Sequence, residues 1–271
     1  MRRKKTDSGF GRAKVAIFFA VFVILVVLFS LIFKVLKIVE QSKFDNYHRF
    51  TISVANNRKT EVISFLPSDK KIWVIKIDGD LQSNSQNDLN RFLEITTDAR
   101  VENSSLNLDN EVPVLMSSVL TGFGNFKTDL TIIDAFRLFL FSKTIPKDFI
   151  GTKNISTSLQ SLEVDKTISS LFADAELVKD IKTIEITNAA DVPNLGGRLA
   201  RLITNMGGNV VLITTDNAVG KESSIFYTGK KTYTVDRLSR ILGFKSVESQ
   251  NLGIADIKIV IGTDSLPKLV F

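Results

Sequence analysis

The sequence has no cysteine and a single histidine, and these absences remove several kinds of site. Without cysteine the chain has neither a disulfide framework nor a thiolate metal site, and a lipid-modified cysteine anchor is impossible. His48, the one histidine, excludes a histidine-rich metal site and argues against a histidine-based catalytic triad. The folded part must therefore be held together by its apolar core, for which about 220 residues are ample.

The basic excess is confined to one end of the chain. Of the 35 basic and 29 acidic residues, nine and three lie in residues 1–47, which leaves 26 of each sign in residues 48–271. The net charge of +6 therefore belongs entirely to residues 1–47. Nucleic-acid-binding domains instead cluster Lys and Arg on one face of the folded domain. We expect no nucleic-acid partner.

One apolar run is long enough to cross a membrane. From Val15 to Phe33 nineteen residues carry no charge, and at about 1.5 Å per residue they reach roughly 28 Å, close to the thickness of the hydrocarbon core. A core helix of a soluble protein is rarely apolar on every face at this length. A cleaved signal peptide has a shorter run that ends in a small-x-small site, and neither feature fits. We predict an uncleaved anchor in the cell membrane, with the more basic N-terminal flank in the cytoplasm and the C-terminal bulk outside.

Residues 50–178 are predicted to form a first α/β domain. Strands are expected at residues 50–54, 61–66 and 71–77, and a Pro-Ser-Asp turn makes the last two an antiparallel hairpin. Asp129 is the predicted N-cap of a helix that ends before Pro146, and residues 151–167 are predicted to be loop. The phenylalanines between residues 123 and 149 are expected in the core.

The last ninety residues are more regular and predict a second domain. Strands and amphipathic helices follow one another in the order βαββαβ, which gives a compact layer with two helices on one sheet face. The predicted fold class is α/β, with one N-terminal transmembrane helix and then two exported α/β domains. The predicted divisions are a basic cytoplasmic tail (1–14), the transmembrane helix (15–37), a linker (38–49), the first domain (50–178) and the second domain (181–271).

Five segments of the second domain carry a resemblance to a known family. They are residues 184–189 (IEITNA), 192–199 (VPNLGGRL), 207–211 (GGNVV), 224–227 (SIFY) and 259–262 (IVIG). Their order and spacing resemble the LytR C-terminal domain of envelope-associated bacterial proteins. The resemblance covers about a third of the chain.

The first domain resembles a degenerate LytR–CpsA–Psr domain. Residues 61–80 (EVISFLPSDKKIWVIKIDGD) are similar to that family's strand, turn and strand before an Ile-Pro-Arg-Asp motif. The family's Asp matches Asp80, whereas its pyrophosphate-binding Arg falls on Gly79. The resemblance implies a transferase that moves a glycopolymer from a polyprenyl pyrophosphate carrier to peptidoglycan. Glycine supplies no charge for a pyrophosphate, which bidentate arginine pairs usually hold.

Two groups of polar residues are candidate sites. Asp78 and Asp80 offer carboxylate oxygens to Mg²⁺, the one cofactor considered, although the missing phosphate partners favour a solvated turn. Asn188, Asp191, Asn194 and Arg198 lie at a strand-to-helix turn, where they would meet a polar ligand near a helix N-terminus. Their residue types are explained more simply as capping and turning the chain.

We therefore predict a membrane-anchored cell-envelope protein that binds or scaffolds at the cell wall without catalysis, cofactor or metal site. Its expected partners are peptidoglycan, an envelope glycopolymer or an envelope protein. The alternative is a divergent glycopolymer phosphotransferase that uses Asp78 and Asp80. A transcription regulator is disfavoured by the neutral exported part and the short cytoplasmic tail.

Overall fold

The first element of the protein is a long apolar helix, α1 (Ser8–Gln41). The computed structural model describes residues 8–57, 59–78, 92–157, 161–216, 219–250 and 252–266. The most apolar 18-residue stretch within Ile17–Gln41 has a mean hydropathy of 3.0 and is not buried against the rest of the protein. By length and composition α1 is a candidate membrane span. It continues to Gln41, four residues past the predicted end at residue 37.

Six strands form the first sheet. They are β1 (Phe50–Ala55), β2 (Thr60–Leu66), β3 (Lys71–Asp78), β4 (Ala99–Glu102), β5 (Lys127–Thr128) and β6 (Ile150–Ser156). Their order is β5-β4-β1-β2-β3-β6. β2 pairs antiparallel with both β1 and β3, so the predicted hairpin is confirmed. β4 and β6 join β1 and β3 in parallel.

Helices cover both faces of this sheet. α2 (Val112–Thr121) and α3 (Ile132–Thr144) pack on one face, and α4 (Ser161–Phe172) packs on the other. Successive side chains of a strand point to opposite faces, so Val62 and Ile63 of β2 lie in different cores. Residues 44–172, which contain both cores, are called the first unit.

The second sheet has five strands and belongs to the second unit (residues 174–266). Its elements are α5 (Ala175–Asp180), β7 (Thr183–Asn188), α6 (Leu195–Asn205), β8 (Asn209–Thr215), β9 (Ser224–Tyr227), α7 (Tyr233–Leu242), β10 (Lys245–Glu248) and β11 (Ile257–Ile261). The strand order is β10-β9-β11-β7-β8. Leu199 of α6 and Leu238 of α7 pack in one core with Ile186 and Ile259. The predicted α/β class with two helices on one sheet face is confirmed, and the edge strand β10 is added to it.

Two local predictions in the first unit are wrong. Residues 151–167 are not loop, because they contain most of β6 and the first half of α4. β6 is an edge strand with few buried side chains, so its sequence lacks the apolar signal of a central strand. The N-cap of α3 is Thr131 and not Asp129. The Thr131 hydroxyl accepts a hydrogen bond from the Asp134 N–H, and the Asp134 carboxylate accepts one from the Thr131 N–H.

The predicted linker is packed against the protein. Residues 38–41 belong to α1, and residues 42–49, here called the juxtamembrane segment, are hydrogen-bonded to the first unit. Phe44 is only 1% exposed and contacts the rings of Phe50, Phe65 and Phe141. The chain therefore has no free spacer between the end of α1 and the first core.

Candidate functional site

A large cleft lies where α1, the first unit and the second unit meet. It has a volume of about 730 Å³. It is lined by Gln41 at the end of α1 and His48 in the juxtamembrane segment, by Asp98 of the first unit, and by Arg237 and Arg240 of α7. A cleft of this size and position is the default place to look for a binding or catalytic site.

Arg237 forms the main polar contact between the two units at this cleft. It lies on the packed side of α7 and is 6% exposed. Its two terminal nitrogens donate to the Asp98 carboxylate at 2.9 and 3.4 Å, and its Nε lies 3.7 Å from Asp174. Burial alone would lower the pKa of Arg237, but Asp98 more than offsets that effect and raises it. The guanidinium is therefore charged at every physiological pH.

A second buried arginine comes from the end of the juxtamembrane segment. Arg49 donates to the Leu171 carbonyl at 2.8 Å and lies over the Phe172 ring. Burial lowers the pKa of Arg49 to about 10, although the Asp174 carboxylate opposes the shift. The Asp174 carboxylate also accepts from the Tyr233 hydroxyl at 2.7 Å. Both buried arginines of the cleft thus have partners within the protein itself.

His48 connects the juxtamembrane segment to the second unit. Its ring stacks on Tyr233 of α7 at 4.9 Å with an interplanar angle of 11°. Its Nδ1 lies 2.5 Å from Asp45, which also accepts from the His48 main-chain N–H. The His48 ring therefore packs against the Tyr233 ring and has Asp45, three residues earlier in the chain, as its carboxylate partner.

A second polar cluster joins the units on the other side of α6. Arg201 forms two 2.8 Å hydrogen bonds to Asp165 of α4, and Asn205 donates to the main-chain carbonyl of Glu94. The Glu94 carboxylate lies 3.5 Å from both Arg198 and Arg201. Burial raises the pKa of Glu94, and the two arginines offset this only in part.

The ion pairs that Glu94, Asp98 and Asp165 form between the units all have the carboxylate on the first unit. The first unit supplies the carboxylates of Glu94, Asp98 and Asp165, whereas the second unit supplies three arginines. The attraction within an ion pair is stronger when water is excluded, but removing charged groups from water is costly, so each charge must keep its partner. The arrangement suits holding two units together, and it commits the arginines to internal partners.

The four residues predicted at the β7–α6 turn do not converge on one point. The Asn188 side chain donates to the Val192 carbonyl and accepts from the Ala190 N–H, so it holds the loop. Asp191 and Asn194 are exposed and have positive φ values of 55° and 60°, which Asp and Asn tolerate better than most residues. Arg198 points away from this turn to Glu94.

The other predicted pair lies at the limit of the described structure. Asp78 is the last residue of β3 and pairs in register with Ser156 of β6. Gly79 and Asp80 lie outside the described residues. Within the described ranges no group of three or more His, Asp and Glu side chains is placed to hold a metal ion.

Comparison with known proteins bears on the second unit. Residues 182–264 match the family model described as LytR cell envelope-related transcriptional attenuator. Residues 182–264 are a LytR C-terminal domain. The predicted LytR C-terminal domain is thereby confirmed, and it links the chain to the cell envelope. A search of curated proteins finds no match.

The chain is similar in part to a solved structure. It is the crystal structure of the transcriptional regulator yvhJ from Bacillus subtilis, at 12% identity and a TM-score of 0.35. The similarity covers 47% of this chain and 98% of that one. This likeness is too weak to assign a fold, so the relation of residues 50–178 to LytR–CpsA–Psr proteins stays a prediction.

Sequence reasoning missed the residues that join the LytR C-terminal domain to the first unit. Arg237 lies between Val235 and Leu238, both of which are fully buried on α7. A charged residue within the apolar arc of an amphipathic helix is a signal of a buried partner. No comparable signal marks Asp98, which lies in a polar stretch before β4.

Proposed function

We propose that this protein is a membrane-anchored envelope protein that acts by binding and not by catalysis. In this proposal α1 spans the membrane with its basic flank in the cytoplasm, and both units lie outside. The LytR C-terminal domain supports a role at the envelope, and the distribution of basic residues supports the orientation. The expected ligand is peptidoglycan, an envelope glycopolymer or an envelope protein, and no cofactor is required.

One observation carries the non-catalytic part of the proposal. Three arginines line the cleft, and the two buried ones, Arg49 and Arg237, are engaged by Asp98, Asp174 and the Leu171 carbonyl, so that Arg240 is a single exposed guanidinium there. A site for pyrophosphate needs guanidinium groups that are free to pair with phosphate oxygens. Releasing Arg237 for this task would leave Asp98 and Asp174 buried without their cation, which is a costly change.

The test compares binding with transfer in the full chain. The full-length protein in lipid nanodiscs is mixed with peptidoglycan and, separately, with a polyprenyl-pyrophosphate-linked glycan and Mg²⁺. We expect retention on peptidoglycan or on the glycan, and no transfer of glycan between them. Transfer that requires Mg²⁺ and stops in Asp80→Ala would overturn the proposal in favour of a divergent phosphotransferase. Retention on neither would leave an envelope protein as the expected ligand.

A separate experiment tests the orientation. Protease added outside intact cells should digest the two units and spare a tag at the N-terminus. Digestion of the tag with protection of the units would reverse the proposed topology. Because this readout needs no ligand, it is independent of the binding test.

A further inference from the structure

One face of α3 carries an apolar stripe that no described part of the protein covers. Ile132, Phe136 and Leu140 are 43%, 48% and 45% exposed. Their spacing of four residues places them on one side of the helix on successive turns. The opposite side of α3 packs into the first core through Ala135 and Leu138. Single exposed apolar side chains are ordinary, but a continuous stripe usually marks a contact surface.

The same helix is fastened to the end of the membrane helix. Asp134 in the first turn of α3 accepts hydrogen bonds from the Ser42 hydroxyl and from the N–H groups of Lys43 and Phe44, at 2.7 to 2.9 Å. Arg137, one turn later, donates to Ser42 and to the Phe44 carbonyl. Ser42 is the first residue after α1. The first two turns of α3 are therefore tied to the first three residues that leave the span.

This connection sets how far α3 lies from the bilayer. Ser42 lies five positions after Lys37, the last residue of the predicted span, so the helix rises at most about 7.5 Å between them. The headgroup layer on each side of the hydrocarbon core is about 5–8 Å thick. Ser42 thus lies near the outer limit of the headgroups, and side chains extend about 3 Å beyond the backbone cylinder of a helix. The start of α3 is within reach of the lipid.

The stripe also has the composition of an interfacial helix. Helices that lie in a membrane surface combine Phe and Leu on one face with Lys or Arg at its borders. Lys143, one turn beyond the stripe, is exposed and places its ammonium group 4.7 Å from the Phe139 ring centroid. A lysine in this position reaches headgroup phosphates while its carbon chain stays over apolar surface.

We propose that α3 lies on the bilayer that α1 spans, with Ile132, Phe136 and Leu140 inserted into the headgroup layer. The occupant of the stripe is phospholipid, and the surface is continuous with that of the membrane helix. The contact gives the first unit a fixed face toward the membrane. This inference rests on the proposed membrane span, and its test is designed so that the two fail separately.

The test places a tryptophan on the stripe of the full chain. The protein has one native tryptophan, Trp73, whose emission in the unmodified chain serves as the baseline. Phe136→Trp is reconstituted in phosphatidylcholine nanodiscs, with lipids brominated either near the headgroup or near the chain ends. We expect a blue-shifted emission that is lost mainly with the shallow bromines. Leu140→Trp provides a second position on the stripe if Phe136→Trp fails to fold.

Two controls separate the possible outcomes. Phe22→Trp lies within α1 and should be quenched by the deep bromines, whereas Val247→Trp on the edge strand β10, at 44% exposure, should not be quenched. If Phe22→Trp escapes quenching, the membrane span fails and the inference fails with it. If Phe22→Trp is quenched and Phe136→Trp behaves as Val247→Trp does, only the inference is overturned. Protection of Phe136→Trp without bromine quenching would assign the stripe to a second copy or another protein and overturn it equally.

Discussion

Replacing Arg237 by alanine is the sharpest test of the contact between the two units. The substitution removes the cation that pairs with Asp98 and approaches Asp174, and it shortens a side chain that is 6% exposed. Asp98 keeps one hydrogen bond, from the Thr51 N–H at 2.8 Å, and Asp174 keeps two, from the Tyr233 hydroxyl and from the Glu176 N–H. The charge of Arg49 still acts on both carboxylates, but Asp98 has lost its direct ion pair.

The expected cost follows from the burial of the pair. Removing one partner of a buried ion pair destabilises a protein by about 3–5 kcal/mol, because the remaining charge stays desolvated. For a folded part of this size each kcal/mol lowers the melting temperature by about 2–4 °C, so the expected decrease is about 6–20 °C. The double variant with Asp98→Asn should lose less than the sum of the single variants, because the two side chains are in direct contact.

The matched control lies one turn away on the same helix. Arg240 also lines the cleft, but it is exposed, and its described hydrogen bond is a 3.4 Å contact to the Asp236 carbonyl. Arg240→Ala should change the free energy of unfolding by no more than about 0.5 kcal/mol. Denaturation of the full chain in nanodiscs is followed by the emission of Trp73. Equal midpoints for Arg237→Ala and Arg240→Ala would refute the assignment of Arg237 to a stabilising ion pair.

Three further predictions test other contacts. Asp134→Asn should speed tryptic cleavage in the juxtamembrane segment and lower the free energy of unfolding by about 1.5–3 kcal/mol, because it weakens charge-assisted hydrogen bonds. The control is Asp148→Asn at an exposed position, which should change neither the cleavage rate nor the stability. Burial would raise the pKa of Asp134, but these hydrogen bonds lower it below the ordinary value. The stability that ionised Asp134 adds to the folded protein is therefore fully present above about pH 3.8, and it is lost as pH falls through the lower pKa of the folded state. The pKa of Glu94 is raised in the folded protein, so the unmodified chain loses stability as pH rises above 4.5 and this buried carboxyl must ionise. Glu94→Gln has no such loss and should become more stable relative to the unmodified chain over that range. A difference in denaturation midpoint that does not change with pH would contradict this. Gly262→Ala would place a Cβ 2.7 to 2.9 Å from a neighbouring main chain and should cost about 1–3 kcal/mol in chemical denaturation. Gly124→Ala meets nothing within 4 Å and should leave the midpoint unchanged, so equal effects would argue against this packing.

The features that were predicted correctly have a local signal. Strands of the second sheet could be predicted from the alternation of apolar and other residues. In β11, for example, Ile257, Ile259 and Ile261 are all buried. β6 gave no such signal, because an edge strand is held by main-chain hydrogen bonds to β3 and needs few apolar side chains. Phe136 and Phe149 were predicted in the core because phenylalanine usually is buried, yet both are about half exposed.

The sequence alone determined the apolar span and the neutral charge of residues 48–271, since both depend only on composition along the chain. It also determined that the second unit is a LytR C-terminal domain, since that match depends on the order of short motifs. The tertiary structure alone decided which carboxylate meets Arg237, because Asp98 lies 139 residues earlier and no local pattern links the two. It also decided that α3 begins beside the end of α1. Periodicity tells which face of a helix is apolar, but only the packing of distant segments decides what lies against that face.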